Sequence, residues 1–290
     1  MSDFEYLDHL DRSILRFILI TFSFSWLFWL PSFLASFGVF PHQPIYNLLL
    51  VIGSFGPFIA GFILTFIDGG IEGVKSLWRK GWHCEKKLYM LISLALIPLI
   101  CLFSLLGASI FDGTSLNDYL YQYNYGQILT EVVIMFFFGG PFQEEFGWRG
   151  YALNSLQLKM NAFESSLVLG AIWSIWHFPL FIIPGTVKTN QSFYSFTISI
   201  IALSIIFTWL HNSTNGSILV AMLFHTTINI TYALFLYKIS PLGAINFMIL
   251  LDIVIVAILV IFGQEKLKWT KKKREFYIKI FKNVHKIKFS

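Results

Sequence analysis

Two adjacent glutamates and an arginine stand in an otherwise apolar stretch of this chain, GGPFQEEFGWRGYAL, as Glu144, Glu145 and Arg149. Glu145 and Arg149 are four residues apart, which on a helix puts them on one face at salt-bridge distance. Glu144 then points about 100° away around the helix, as the 3.6-residue period requires. Pairing neutralises one carboxylate and leaves the other facing elsewhere in a low-dielectric setting, where it is a candidate general base. A buried structural ion network would use the same residues, and this stretch alone leaves both readings open.

Further along, the segment GAIWSIWHFPLFIIPG places His177 four residues after Trp173 and two before Pro179. The segment SILVAMLFHTTINITYAL places His225 and Asn229 four apart, so both point into the same space. A lone histidine in an apolar segment is more often structural than catalytic. Two histidines, an amide and an unpaired carboxylate spread over three such segments form a stronger set, because an apolar environment penalises each one separately. Other polar residues carry less weight. Glu131 sits near a helix start, where the dipole tolerates an acid, and Asn161 with Glu164 has the spacing of a capping box. His211, Asn212 and Asn215 are expected to form a turn, and Asp252 is an acid in mid-segment that would serve a proton path or bond to a neighbouring helix.

The elements that must position these groups follow from composition. Of 290 residues, 56% are hydrophobic, 18% aromatic and only 13% charged, with a mean hydropathy of +0.68. A soluble domain is typically about a quarter charged, so this chain is expected to be a polytopic membrane protein. Segments near the roughly 20 residues that cross a bilayer are Ser13 to Phe37, Ile45 to Ile67, Leu88 to Phe111, Gln127 to Leu153, Glu164 to Pro184, Phe193 to Leu210, Ser217 to Tyr237 and Leu242 to Phe262. In the fourth, Gly139-Gly140-Pro141 marks a kink at which a helix can open toward a cavity.

An even number of spans puts both termini on one side. Lys75, Arg79, Lys80, Lys86 and Lys87 between the second and third spans, and the lysine-rich tail after the last, face loops that carry only Lys188 and Lys238. The positive-inside rule then places both termini and the basic loops in the cytoplasm, in the cell membrane. The net charge of +5 reads as orientation and lipid contact, with no nucleic acid as partner. The segment Ile71 to Lys87 and the tail both interleave apolar and basic residues, which fits helices lying on lipid or simple stop-transfer charge. Cys84 and Cys101 lie in unlike contexts and give no disulfide framework. The acidic start MSDFEYLDHLDR differs from a signal peptide, so the first apolar run is expected to be retained.

Glu144-Glu145 with Arg149, Trp173 with His177 and Phe178-Pro179-Leu180-Phe181, and His225 with Asn229 together resemble the CPBP family of intramembrane proteins. That family includes the CAAX prenyl endopeptidases and bacterial relatives linked to bacteriocin self-immunity. Its motifs EExxxR, FxxxH and HxxxN or HxxxD occur here in order, with Trp173 in place of Phe, which keeps an aromatic wall and could reshape the pocket. The resemblance implies an all-α bundle of about eight spans around a central polar cavity. On this reading residues 1–263 form the peptidase domain, with its motif core at 127–237, and 264–290 form a basic cytoplasmic tail. It further implies a glutamate-dependent endopeptidase without a cofactor, in which Glu144 and His177 activate a water and His225 and Asn229 bind the oxyanion. Glu145, Arg149 and Trp173 would support them.

Other readings use the same residues. Two histidines and two glutamates could ligate zinc, although no HExxH helix is present. No GxSxG elbow supports a serine nucleophile. An immunity or binding protein of the same fold, or a transporter, would use the polar core without hydrolysis, although no inverted repeat points to transport. The composition is rich in Phe, Ile, Lys and Asn, as in an AT-rich bacterial genome where prenylation is not expected. A membrane-associated peptide or protein tail is therefore expected as substrate ahead of a prenylated CAAX sequence.

Overall fold

The computed structural model describes residues 3–113, 125–189, 191–235 and 239–268, and among these the only regular elements are helices. Four helices come first: α1 (Asp3–Ser36), α2 (Ile45–Gly53), α3 (Gly56–Lys80) and α4 (Lys87–Asp112). The chain then forms α5 (Tyr125–Phe138), α6 (Pro141–Gly147), a π-helical turn (Trp148–Ala152) and α7 (Leu153–Gln157). It ends with α8 (Ala162–Trp176), a 3-10 turn (Phe178–Phe181), α9 (Phe193–Ser213), α10 (Ile218–Leu234) and α11 (Pro241–Phe262).

Five stretches are long and apolar enough to cross a membrane: Arg12–Ser36, Ile45–Lys80, Lys87–Asp112, Phe193–Ser213 and Pro241–Phe262. Ala162–Trp176 and Ile218–Leu234 are shorter apolar helices. Each expected span thus has a helical counterpart, and the departures have local causes. The second is divided at Ser54-Phe55, with Pro57 in the first turn of α3. The fourth breaks where Gly140 adopts φ +116°, a backbone conformation open to glycine. The fifth is α-helical only to Trp176 rather than to Pro184. Pro179 has no amide hydrogen to continue the ladder, so His177 caps α8 and the chain turns into the 3-10 segment.

The bundle is held together by tryptophans and by close backbone approaches. Trp29, Trp148, Trp173 and Trp176 are fully buried. Trp148 lies against Phe17 of α1 and Trp176 of α8, with ring centroids 5.3 and 5.8 Å away. Trp29 donates from Nε1 to Leu50 O at 2.9 Å, tying α1 to α2. Outward faces carry Leu, Ile, Val and Phe, as expected where every polar backbone group must be satisfied within the helix. Asp252 is exposed on such a face of α11, beside exposed Ile249, Ile253 and Val256, and makes no hydrogen bond or ion pair among the described residues. Of the two roles expected for it, the bond to a neighbouring helix is not made.

The segment from Ile71 does form a helical piece, joined to the rest of α3 across Gly70 at φ +58°. Its tryptophans do not simply face lipid. Trp78 stacks on Phe146 at 5.7 Å and Trp82 lies 6.0 Å from Phe142, so this helix braces α6. The asparagine and glutamate at 161 and 164 form the expected capping box. The turn after α11 accepts hydrogen bonds from Ala162 N and Phe163 N, and Leu267 is buried. Lys238 and the basic tail beyond residue 268 lie outside the described residues.

α3 and α6 meet at glycines. A Cβ on Gly147 would stand 2.1 Å from Pro57 O, and one on Gly61 would stand 3.0 Å from Gly147 Cα. Gly147→Val should therefore unfold at lower temperature in detergent, by the equivalent of about 1–3 kcal/mol or more for an overpacked contact. Gly69→Ala, with nothing within 4 Å of its Cβ position, should be tolerated. Equal unfolding temperatures for the two variants would contradict this packing.

Candidate active site

The glutamate pair lies on α6, one turn after the glycine break. Gln143 holds the start of this helix: its Oε1 accepts from Gly140 N at 3.0 Å and its Nε2 donates to Val51 O at 3.1 Å. Glu144 and Glu145 are both buried, as are Arg149, His177 and His225. The sequence spacing separates the two carboxylates as the helix period requires.

Glu145 faces two nitrogen donors. Its Oε1 accepts from Arg149 Nη1 at 3.0 Å and from His225 Nδ1 at 2.7 Å. The guanidinium is clamped between rings, its Cζ 3.8 Å from the centroid of Phe207 and 4.4 Å from that of Trp173. Such cation–π contacts suit a desolvated arginine. The π-helical turn begins beside Arg149 and contains it, and π-turns of this kind recur at functional sites.

Glu144 faces the other way. Its Oε2 accepts from Trp173 Nε1 at 2.6 Å. A Cβ built on Gly140 would stand 2.7 Å from Glu144 Oε1 and 3.4 Å from His225 Nε2, so these two atoms flank one small space that only a glycine leaves open. The Trp173 ring neighbours both histidines, with centroids 5.9 Å from His177 and 5.4 Å from His225.

Hydrogen bonds to acceptors assign the ring nitrogens. His177 Nδ1 donates to Trp173 O at 2.8 Å, which leaves Nε2 as the acceptor of a neutral ring. His225 Nδ1 donates to the Glu145 carboxylate, so its Nε2 donates only when the ring is an imidazolium. Asn229 Nδ2 donates to Gly139 O at 3.0 Å, using one of its two amide hydrogens to pin the glycine break.

The structure thus brings Glu144, Glu145, Arg149, Trp173, His225 and the Asn229 amide around one stretch of backbone, with His177 beside the Trp173 ring. Three features were not read from sequence. The His225–Glu145 bond joins residues 80 apart and has no local signal, and neither does Phe207 under Arg149. Gln143 did have one, since Gly-Pro-x-Gln has a glutamine where a capping box places it. Among the described residues, no three His, Cys, Asp or Glu side chains are grouped as a metal site would need.

Removing one partner of a buried ion pair typically costs about 3–5 kcal/mol because the other charge is left uncompensated. Arg149→Met should therefore sharply lower the unfolding temperature, and adding Glu145→Gln should recover part of the loss. Additive losses in this double-mutant cycle would contradict the pairing.

Comparison with known proteins gives two findings. Residues 126–231 match the model of a family described as type II CAAX prenyl endopeptidase, Rce1-like. CAAX prenyl protease 2 of Methanococcus maripaludis is 30% identical over 228 residues, covering 75% of this chain and 83% of that protein.

Proposed function

The chain belongs to the CAAX prenyl endopeptidase family of membrane proteases, and on that premise we propose that Glu144 is the general base for hydrolysis of a peptide bond in a membrane-associated protein. The observation that carries this reading is the disposition of its two oxygens: one is held by the Trp173 indole and the other faces His225 Nε2 across Gly140. A carboxylate fixed at one oxygen presents the other at a defined point, which is what proton abstraction from a bound water requires.

In this mechanism Glu144 takes a proton from a water that His177 Nε2 orients. The hydroxide oxygen bonds to the scissile carbonyl carbon, and the carbonyl oxygen becomes an oxyanion. His225 Nε2–H, with the ring as imidazolium, and the second amide hydrogen of Asn229 donate to that oxyanion. The C–N bond then breaks, the electron pair goes to the leaving nitrogen, and Glu144 returns its proton to that nitrogen. Arg149 and Glu145 hold His225 in place and do not react.

The reaction is proposed to need no metal, because among the described residues no three His, Cys, Asp or Glu side chains are grouped as a metal site would need. The family and the named relative favour a C-terminal, lipid-modified tail as substrate over the unmodified peptide that composition alone pointed to. Both termini and the basic loops are placed in the cytoplasm, on the charge asymmetry of the loops.

The test uses full-length protein in lipid nanodiscs and a peptide whose S-farnesyl cysteine is followed by Val-Ile-Met, with cleavage followed by mass spectrometry. Glu144→Gln should lower kcat/KM by about 10²–10⁴-fold, the usual contribution of a general base, without lowering the unfolding temperature. A strong chelator should leave the wild type active. Activity retained by Glu144→Gln, or abolished by the chelator, would overturn the reading.

A further inference from the structure

The turn that follows the 3-10 segment is firmly tied down. Thr186 Oγ1 donates to Leu180 O and Thr189 Oγ1 to Ile183 O, each at 2.5 Å, and the two hydroxyls are 3.0 Å apart. Lys188 N donates to Thr186 Oγ1 at 3.3 Å. Gly185, at φ +83°, lets the chain reverse just before it. This turn hangs directly from the helix end that carries His177.

Its product is an inward-turned lysine. Lys188 Nζ lies 4.3 Å from the centroid of Phe196, and the same ring is 5.2 Å from the ring of His177. One phenyl group therefore carries the ammonium and the imidazole together. Among the described residues no carboxylate is within ion-pair distance of Lys188. Burial pulls its pKa down to about 8, and the charge of Glu144 opposes that fall, so the ammonium persists at neutral pH. A cation–π contact positions such a charge without cancelling it.

Arg149 and His225 are both bonded to Glu145, whereas Lys188 has no carboxylate at ion-pair distance among the described residues. It is the cation left to meet an incoming anion. A substrate that brings a negative charge into this low-dielectric region needs a cation to meet it, since an unpaired buried anion is strongly disfavoured. A protein tail cleaved close to its end brings one such charge, its C-terminal carboxylate. A lysine ammonium, a point charge on a flexible stem, suits the end of a mobile peptide.

We propose that Lys188 is a specificity residue that binds the free C-terminal carboxylate of the substrate, on the leaving-group side of the scissile bond. This assignment rests on the peptidase reading above.

The test compares two S-farnesyl-cysteine peptides that both end in Val-Ile-Met, one with a free carboxylate and one with a carboxamide. Wild type, Lys188→Met and Lys188→Arg are assayed in nanodiscs. The wild type should favour the acid by about 10- to 100-fold in kcat/KM, the range of one charge-assisted hydrogen bond. In Lys188→Met the ratio should fall to about one, and Lys188→Arg should restore part of it. A wild type indifferent to the terminus, or a Lys188→Met that keeps the preference, would overturn the proposal.

Binding of the free tripeptide Val-Ile-Met, as acid and as amide, gives a second readout that needs no turnover. Preference for the acid in wild type and its loss in Lys188→Met supports the assignment, and equal binding overturns it. Glu144→Gln separates the two claims: unslowed cleavage in that variant would overturn the base assignment, while the acid-to-amide ratio of the wild type still reports on Lys188.

Discussion

The rest of the site depends on one buried carboxylate, Glu145, which accepts from Arg149 and from His225 through the same oxygen. A carboxylate in an apolar bundle must be matched by a cation and by hydrogen bonds, or it is neutralised or expelled. The arginine supplies the charge, and Phe207 and Trp173 hold the arginine. The histidine gains an orientation and a defined Nδ1–H from the same bond. With Glu145 committed, its neighbour Glu144 is directed elsewhere by the helix period alone. Two identical residues thus acquire different work from a rotation of about 100°.

The backbone serves that division. Gly139-Gly140-Pro141 ends one helix and starts another within one apolar stretch, which brings the first turn of α6, with its glutamates, close to His225 of α10. Gly140 is confined both by its positive φ and by the two functional side chains that crowd its missing Cβ. Gly147 then lets α6 lie directly on Pro57 of α3, while Trp78 and Trp82 press on its phenylalanines from the end of the same α3. The glutamate helix is short, and it is held on several sides by parts of the chain remote in sequence.

How much of this the sequence disclosed depended on distance along the chain. Glu145 with Arg149 and the Asn161–Glu164 cap were legible because helical spacing decides them, and the glycine–proline break because backbone chemistry does. The helix break at His177 has a signal in Pro179, but the apolar run continues to Pro184, so hydropathy alone extends the segment past the break. Trp173 was read as a wall because its ring is apolar; that its indole nitrogen reaches Glu144 depends on where α8 packs. The bond of His225 to Glu145 and that of Asn229 to Gly139 are tertiary, with no periodicity to reveal them. Asp252 shows the converse limit, since an acid in mid-span implied a partner and the helix instead turns it outward.

The central claim is that Glu144 acts on water and forms no bond to the substrate. A single turnover in H₂¹⁸O, with enzyme in excess over the farnesylated peptide, tests it most directly. The account predicts one ¹⁸O atom in the newly formed carboxyl terminus and none in the Glu144 carboxylate when the enzyme is digested and weighed. Label appearing in Glu144, with an unlabelled new terminus, would mean that the glutamate attacks the carbonyl itself and would contradict the account.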